Sequence, residues 1–297
     1  LALHDALPIF LLEDAAGTLW IGTDRGGLSR FSRGRFSTFA SADGLSGDHV
    51  MALLEDHEGG LWVATETGGI NQLRTSKFTP FTTREGLALN GVYSITEDVS
   101  GAIWFGTRGG GVSRLQNGRM KTIGAADGLS SDYVLSVYGA RDGGVWIGTQ
   151  DAGLNYYRNG EIRTFSVRDG LPENSIYSLL ETSTGVLYAG TGNSGLVRYH
   201  QGLFSTLTTK NGLSSNSITA IAEGAGGNLW VGTYDAGLNE IVDGRVVRRY
   251  TSDEGLPSDF VTVVYEDGEG YLWISTRGGG ISRLRDGELR TITMAHG

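Results

Sequence analysis

The chain has 297 residues, of which 48 are glycine, 4 are proline and none is cysteine, and 39% are hydrophobic. That hydrophobic fraction excludes intrinsic disorder, and the lack of cysteine excludes disulfides and thiolate metal sites. A formal net charge of -9 at pH 7 argues against nucleic acid or an anionic membrane surface as the main partner, and no run of about 18 apolar residues predicts a transmembrane helix.

The first nine residues differ from the rest of the chain. Residues 3–9 resemble the translated end of a common sequencing-adapter oligonucleotide. Pro8 stands where an inner strand is expected, although proline cannot donate to a sheet ladder. We therefore predict that residues 1–9 are a non-native scar. Residues 10–297 are predicted to form a single domain, a fragment of a longer protein.

An aromatic residue recurs at a nearly constant step through the chain. The step is 42 residues, except for a final step of 43, and the positions are Trp20, Trp62, Trp104, Trp146, Tyr188, Trp230 and Trp273. A repeat of about 40–45 residues with four short strands is typical of a β-propeller blade. The predicted fold is therefore all-β, a seven-bladed β-propeller with four antiparallel strands per blade.

Residues 44–82 show the strand pattern of one repeat. Apolar runs predict strands at 50–55, 61–65, 70–73 and 78–82. Leu61, Trp62 and Val63 are apolar on both faces of the second strand, as expected where neighbouring blades cover both sides. We expect the first strand of each blade to be innermost. The ring is expected to close by apolar packing between blades one and seven, without an exchanged strand.

Glycine recurs at two turn positions, where it predicts a positive φ angle. One position opens each repeat, and Gly297 is predicted to open an eighth: Gly44, Gly86, Gly128, Gly170, Gly212 and Gly255. The other precedes the fourth strand, with Ser76 as the exception: Gly34, Gly118, Gly160, Gly202, Gly244 and Gly287. One extra residue between Gly244 and Gly255 predicts a bulge or a longer loop.

Two sets of loops are predicted to share one face, at the mouth of the central channel. They are the loops that lead into the first strand and the loops that join the second strand to the third. A position filled alike in every repeat serves the fold, whereas a varying one is free to serve recognition. The first set carries a recurrent Asp or Asn, predicted to bond backbone N–H groups in an Asx turn: Asp48, Asn90, Asp132, Asn174, Asn216 and Asp259.

The varying positions supply the candidate ligand-binding residues: Arg25, His49, Arg108, Tyr133, Asp151, Tyr234, Asp235, Phe260 and Arg277. Aromatic rings would stack on the apolar face of a sugar, and polar groups would bind its hydroxyls. The three arginines could hold an acidic sugar through bidentate bonds. The alternative interpretation is an ordinary solvated rim.

Acidic pairs recur at the turn on the opposite face: Glu13-Asp14, Glu55-Asp56, Glu97-Asp98 and Glu266-Asp267. Consecutive residues of a strand point to opposite sides, so the two carboxylates of a pair are separated. The dense oxygen cluster that calcium requires is also missing. We therefore predict that the Asp caps the turn, and we predict no metal, no cofactor and no catalytic residue.

The composite repeat resembles the two-component regulator propeller repeat. The resemblance covers residues 10–297 and depends on the opening Gly-Leu, the Leu-Trp-Ile-Gly-Thr core and the following Gly-Gly-Leu, most clearly at 19–28 and 229–238. It departs from the pattern at Gly139-Ala140 and Tyr188-Ala189, and at Ala64 and Ser275, which replace the core glycine. We expect these departures to affect packing details only.

The resemblance implies the extracytoplasmic, periplasmic sensing module of a bacterial membrane receptor. Such receptors usually continue into a transmembrane helix and a histidine kinase, a diguanylate cyclase or a DNA-binding output. Some members of the family are associated with sensing oligosaccharides released during polysaccharide use. The implied partners are a small-molecule or oligosaccharide ligand and adjacent receptor domains, with no nucleic acid and no direct membrane contact.

Two other classes of function stay open. Streptogramin lyases are also seven-bladed propellers, but their repeats typically continue as Trp-Phe-Thr-Glu where this chain has Trp-Ile-Gly-Thr. Such a lyase needs His and Glu near a metal, whereas His49, His57 and His200 are predicted to lie in separate loops, and His4 and His296 lie near the ends. The third class is a scaffold that packs against a neighbouring domain or chain.

Overall fold

The computed structural model describes residues 7–74 and 77–292 of the chain. Over these ranges the chain forms seven four-stranded antiparallel sheets, which confirms the predicted seven-bladed β-propeller. The expectations for Ser76, for Gly297, for His4 and His296 and for residues 1–6 lie outside the described residues. Residues 7–9 belong to the first strand, and the proposed scar stays a prediction.

Each sheet is one blade, and its strands follow chain order from the channel outwards, because the first strands of adjacent blades contact one another. Blade by blade, the strands are β1 (Leu7–Glu13), β2 (Leu19–Asp24), β3 (Leu28–Ser32), β4 (Arg35–Phe39); β5 (Val50–Glu55), β6 (Leu61–Thr65), β7 (Ile70–Arg74), β8 (Lys77–Phe81); β9 (Val92–Glu97), β10 (Ile103–Thr107), β11 (Val112–Gln116), β12 (Arg119–Ile123); β13 (Val134–Gly139), β14 (Val145–Thr149), β15 (Leu154–Arg158), β16 (Glu161–Phe165); β17 (Ile176–Glu181), β18 (Leu187–Thr191), β19 (Leu196–His200), β20 (Leu203–Leu207); β21 (Ile218–Glu223), β22 (Leu229–Thr233), β23 (Leu238–Val242), β24 (Arg245–Tyr250); β25 (Val261–Glu266), β26 (Leu272–Thr276), β27 (Gly280–Arg285) and β28 (Glu288–Ile292).

A single turn of 3-10 helix stands between successive blades, a feature that the sequence analysis missed. The six turns are Ser41–Asp43, Thr83–Glu85, Ala125–Asp127, Val167–Asp169, Thr209–Asn211 and Ser252–Glu254. At the second turn, the Glu85 carboxylate accepts a hydrogen bond from the Thr82 backbone N–H at 2.7 Å. Thr82 therefore leaves the sheet, and β8 ends at Phe81, one residue earlier than predicted.

The hydrophobic core lies between blades. Trp62 of blade two packs against Phe81 of its own blade at 5.5 Å between ring centroids, and against Phe105 of blade three at 5.8 Å. Leu61, Trp62 and Val63 are all buried, as predicted for a strand covered on both faces. Each blade therefore completes the core of its neighbour.

Turn geometry follows the glycine pattern. Gly86 closes a 3-10 helix with a φ of 96°, and Gly118 follows Asn117 in a hairpin in which both residues have positive φ angles. The extra residue of blade six is absorbed in β24, because the register against β23 shifts between Glu240 and Ile241. The predicted bulge is thus confirmed.

Pro8 lies within β1, although the sequence analysis excluded proline from an inner strand. The inner strand is an edge of its sheet, where a missing backbone donor is tolerated. The pairing of β1 with β2 is also irregular between Pro8 and Phe10, and the same irregularity recurs near the start of every other inner strand, as between Val92 and Ser94.

The ring closes between blades one and seven without an exchanged strand among the described residues. Leu11 and Ile21 share one apolar cluster with Trp273 and Ile281, which confirms the predicted mode of closure. A hydrogen bond supplements this apolar packing, in which the Ser275 hydroxyl donates to the Pro8 carbonyl at 2.6 Å. Of the helices in the described ranges, none has the length and apolar character needed to cross a membrane.

Candidate functional site

The mouth of the channel is built from the two predicted loop sets, which are joined by backbone bonds within a blade. The N–H of Glu66 donates to the carbonyl of His49 at 3.1 Å, and that of Arg277 donates to Phe260 at 2.9 Å. The same bond recurs from Tyr234 to Ser217 at 3.0 Å. Both sets therefore lie on one face, and these three bonds join backbone groups only.

The recurrent Asp or Asn of the first loop set serves the scaffold, as predicted. One side-chain oxygen of Asp48 accepts from the N–H of Ser41 at 2.7 Å, which anchors the first 3-10 helix. The partner lies seven residues earlier, so the contact is not the local Asx turn that was expected. The other members bond in the same way: Asn90, Asp132, Asn174, Asn216 and Asp259.

A chain of polar side chains runs along the mouth from blade one to blade three, and we call it the polar chain. Nδ1 of His49 lies 2.9 Å from Glu66 and 3.5 Å from Asp24. The Tyr93 hydroxyl lies 3.5 Å from Glu66, and Arg108 donates to that hydroxyl at 3.1 Å. The structure thus connects two predicted residues, His49 and Arg108, through Glu66 and Tyr93, which were not predicted.

Two more predicted residues flank the polar chain. Arg25 has a positive φ of 68°, and its side chain is 88% exposed, with Nε 3.6 Å from Asp24. Tyr133 forms an isolated backbone bridge with Arg108 and is 49% exposed. The hydrogen bond to Tyr93 raises the pKa of Arg108, so its guanidinium stays charged at the mouth.

An aromatic cluster occupies the mouth at blades six and seven. The rings of Tyr234 and Phe260 lie 4.4 Å apart, and the Arg277 guanidinium lies 5.4 Å from the centre of the Phe260 ring. Tyr234 is 52% exposed. A partly exposed aromatic surface beside a cation suits a ligand with one apolar face and polar edges.

Asp151 and Asp235 belong neither to the polar chain nor to the aromatic cluster. Both are exposed, and neither forms a side-chain hydrogen bond or ion pair with another described residue. At blade five, the Glu173 carboxylate instead accepts from the Asn193 N–H at 2.9 Å, beside the half-exposed Tyr177. The mouth therefore carries side chains of different character around its circumference.

The residues that sequence reasoning missed at the mouth are Asp24, Glu66, Tyr93, Glu173 and Tyr177. Asp24 and Glu66 occupy varying positions of the second loop set, so the signal was present. Tyr93 and Tyr177 occupy equivalent positions near the start of their inner strands. The other five blades have aliphatic or small residues there: Ile9, Met51, Leu135, Thr219 and Thr262. A tyrosine at an otherwise aliphatic or small position could have marked both.

The acidic pairs on the opposite face are structural, as predicted. Asp56 accepts from the N–H groups of Glu58 and Gly60, and also from the indole of Trp62 at 2.7 Å. The glutamate of each pair reaches the previous blade, because Glu55 accepts from the N–H of Ala15 at 2.7 Å. Each pair thus caps one turn and links two blades, and the second role was not foreseen.

The three central histidines do not converge. His57 lies on the opposite face, where its hydrogen bond to Glu97 raises its pKa, and His200 ends an outer strand. His49 belongs to the polar chain at the mouth. Across the residues that the structure describes, no group of three or more His, Asp or Glu side chains could hold a metal ion.

Six of the seven repeats match the sequence profile of the two component regulator propeller family, at residues 44–67, 86–109, 128–151, 170–193, 212–235 and 255–278. The chain belongs to this family. No curated protein has a matching sequence.

Solved structures share the fold. The extracellular domain of BT3049 from B. thetaiotaomicron, described as a hybrid two component system, is 26% identical with a TM-score of 0.84 over 95% of this chain. That of BT4673 from the same organism is 22% identical with a TM-score of 0.78 over 93% of this chain. The chain spans 39% and 40% of those two proteins.

The lyase fold is similar too. A catalytically inactive virginiamycin B lyase from Staphylococcus aureus, solved with quinupristin, is 18% identical with a TM-score of 0.77. The match covers 98% of this chain and 97% of that one. At this identity the likeness shows the seven-bladed fold alone.

Proposed function

We propose that this chain is the extracytoplasmic, periplasmic ligand-sensing propeller of a bacterial signal-transduction receptor, without a catalytic step of its own. The observation that carries the proposal is the match of six repeats to the two component regulator propeller family. The likeness to the extracellular domain of BT3049 over 95% of this chain supports the same role. Adjacent receptor domains are the partners that this role requires, and neither nucleic acid nor direct membrane contact is part of it.

The mouth of the channel is the proposed binding site, and an oligosaccharide is the proposed ligand. Tyr234 and Phe260 offer a partly exposed aromatic surface on which the apolar face of a sugar ring would stack. Arg277 beside them, and Arg25 and Arg108 across the mouth, offer guanidinium groups for hydroxyls or a uronic carboxylate.

The test is the melting temperature of the chain with a panel of neutral and uronic oligosaccharides. A ligand at ~100 times its Kd stabilises the fold by ~2.7 kcal/mol, which raises the melting temperature measurably. Tyr234→Ala and Arg25→Ala should abolish the shift. Leu203→Ala, on an outer strand and 75% exposed, is the matched control and should preserve it.

The other outcomes separate the alternatives. A flat response across the panel would favour a scaffold that only packs against neighbouring domains. A shift that survives both mouth substitutions would place the ligand elsewhere on the ring. Chemical turnover of a bound ligand would contradict the proposal of a non-catalytic sensor. It would favour an enzyme that resembles the lyase.

A further inference from the structure

The outer strands of blades one to three contain basic residues and no acidic ones. Strands three and four of these blades, with their hairpins, contain eight basic residues and no carboxylate: Arg30, Arg33, Arg35, Arg74, Lys77, Arg114, Arg119 and Lys121. We call this set the cationic arc. It is unusual because the whole chain has a net charge of -9.

Most of the cationic arc is open to solvent. All its members are exposed except Arg114, and Arg33, Arg35, Arg119 and Lys121 form no ion pair among the described residues. Arg74 pairs with Glu58, and Arg114 lies 3.9 Å from Asp98. At least four cations are therefore free to meet an external anion.

At blade three the arc forms a groove. Arg114, Arg119 and Lys121, together with Gln116 and Asn117, line a groove with a volume of about 420 Å³. Nε of Arg114 is buried there without a hydrogen-bond partner. Cations and amide groups without a carboxylate suit an anionic group that also carries hydroxyls.

Protection of sheet edges does not account for the arc. Charged side chains on an outer strand discourage edge-to-edge pairing, whichever sign they have. The outer strands of blades four, six and seven achieve this with mixed signs, because they add carboxylates to their arginines: Glu161, Glu240, Asp243, Asp286 and Glu288. The outer strands of blade five also lack a carboxylate, but they contain only one arginine, Arg198. The concentration of eight basic residues in blades one to three therefore needs another cause.

The arc is continuous around a convex wall. Phe39 and Phe78 pack edge to face at 5.8 Å between the outer strands of blades one and two, and Met120 of blade three packs into the blade-two cluster around Trp62. Charges are screened over about 8 Å at physiological ionic strength. A partner at this wall therefore responds to the arc rather than to the net charge of the whole chain.

We propose that the cationic arc binds a flexible linear polyanion, specifically a carboxylated or sulfated polysaccharide. A flexible chain can follow the convex wall across three blades, whereas a flat bilayer would touch it along one blade. Single-stranded nucleic acid binds on exposed aromatic rings, and the described outer strands of these blades expose no large hydrophobic side chain. The site is separate from the mouth, so it does not depend on the proposed function.

The test uses the full chain with dextran sulfate, and with neutral dextran as the matched probe. We expect binding to dextran sulfate that weakens steeply as NaCl rises from about 0.05 M to about 0.5 M, and no binding to dextran. A triple variant with Arg35→Gln, Arg119→Gln and Lys121→Gln should bind roughly tenfold more weakly, with a shallower salt dependence.

The control is a second triple variant with the same change in net charge, outside the arc. It carries Arg198→Gln, Arg245→Gln and Arg290→Gln and should bind as the parent does. Equal weakening in both triple variants would overturn the proposal, because net charge alone would then explain binding. Tighter binding to anionic phospholipid vesicles or to oligothymidine than to dextran sulfate would also overturn it, as would no binding at the lowest salt.

Discussion

Asp98 shows how one buried carboxylate orders a turn. Its oxygens accept from the N–H groups of Ser100 and Ala102, from the Ser100 hydroxyl and from the Trp104 indole. Burial alone raises the pKa of this carboxyl, but the hydrogen bonds from Ser100 and Trp104 outweigh burial, and the pKa lies below its ordinary value of 3.8. The folded state therefore favours the ionised form.

Asp98→Asn should destabilise the ring in a pH-dependent way. At pH 7 the amide cannot accept from both Trp104 and the turn, so unfolding free energy should fall by about 1–3 kcal/mol. A lowered folded-state pKa contributes stability above the unfolded value, and that contribution is lost as pH falls through the folded value. The gap between parent and variant should therefore narrow below about pH 4 in urea titrations.

The control for this substitution is Asp253→Asn, an exposed carboxyl in the last 3-10 helix, which should change stability little. A gap between parent and Asp98→Asn that stays constant from pH 7 to acid would contradict the assigned role of the carboxylate. Such a result would mean that the shape of the side chain, and not its charge, accounts for the loss of stability.

Single-residue roles were predictable where the contact is local. The capping by Asp56 and Asp98 follows from sequence because the turn lies within a few residues and recurs at one position. The polar chain from Asp24 to Arg108 did not follow, since its contacts from His49 to Asp24 and from Tyr93 to Glu66 cross from one blade to the next. Which side chains meet there depends on the angle between blades, and the repeat period does not encode that angle.

Adjacent blades approach most closely where the second strand of one meets the first strand of the next. A Cβ on Gly148 of β14 would lie 2.7 Å from Cγ2 of Ile176 in β17. The equivalent atom on Gly106 would lie 2.8 Å from Cγ1 of Val134. The same Cβ atoms would lie 2.3 Å from the Ser136 hydroxyl oxygen and 2.4 Å from that of Ser94 within the blade, so glycine permits close packing both within and between these blades. Ala64 and Ser275 take this position in blades two and seven, where the sheets keep the same strand order.

Gly148→Ala should destabilise the ring by about 1–3 kcal/mol, because the added methyl group overpacks the contact with Ile176. Ile176→Ala removes the Cγ2 atom that the new methyl group would meet, so Gly148→Ala should cost less in that background. The measurement is a double-mutant cycle in urea unfolding. Additive effects of the two substitutions would show that the glycine is not held by this contact.

Strand positions were predictable from the apolar runs, but the 3-10 helices were not recognised. The signal existed in the capping-box spacing from Thr82 to Glu85 and from Thr251 to Glu254. A helix of three residues has no hydrophobic period, so only its caps could have revealed it. The same omission placed the end of β8 one residue too late.

At the scale of the whole molecule, one contact is repeated around the ring. A glutamate of each linked blade accepts from a turn N–H of the previous blade, as Glu55 does from Ala15 at 2.7 Å. The same link closes the ring, since Glu13 accepts from Gly268 at the longer distance of 3.3 Å. The closure therefore uses the same parts as the other junctions, and its polar contact lies within their range, since Glu181 accepts from the Arg141 N–H at 3.4 Å.

Amide hydrogen exchange measures how firmly the ring is closed. We expect residues 10–30 in β1 and β2 to exchange faster than β9 and β13, because the junction of blades one and seven has no exchanged strand to hold it. Mass spectrometry of deuterated peptides would measure the rates. Uniform protection from blade one to blade seven would show that apolar packing alone makes the closure as firm as the rest.

The backbone hydrogen bonds at the mouth also affect how the sequence of such a chain can diverge in evolution. Because Gln150 N–H donates to the Tyr133 carbonyl, and not to a side chain, the loop keeps its shape whatever the two side chains are. A single codon change can therefore alter the side chains at the proposed binding site while these backbone bonds are kept. Exchange of whole repeats between genes would shuffle recognition surfaces on an unchanged frame, so specificity in such rings can diversify faster than architecture.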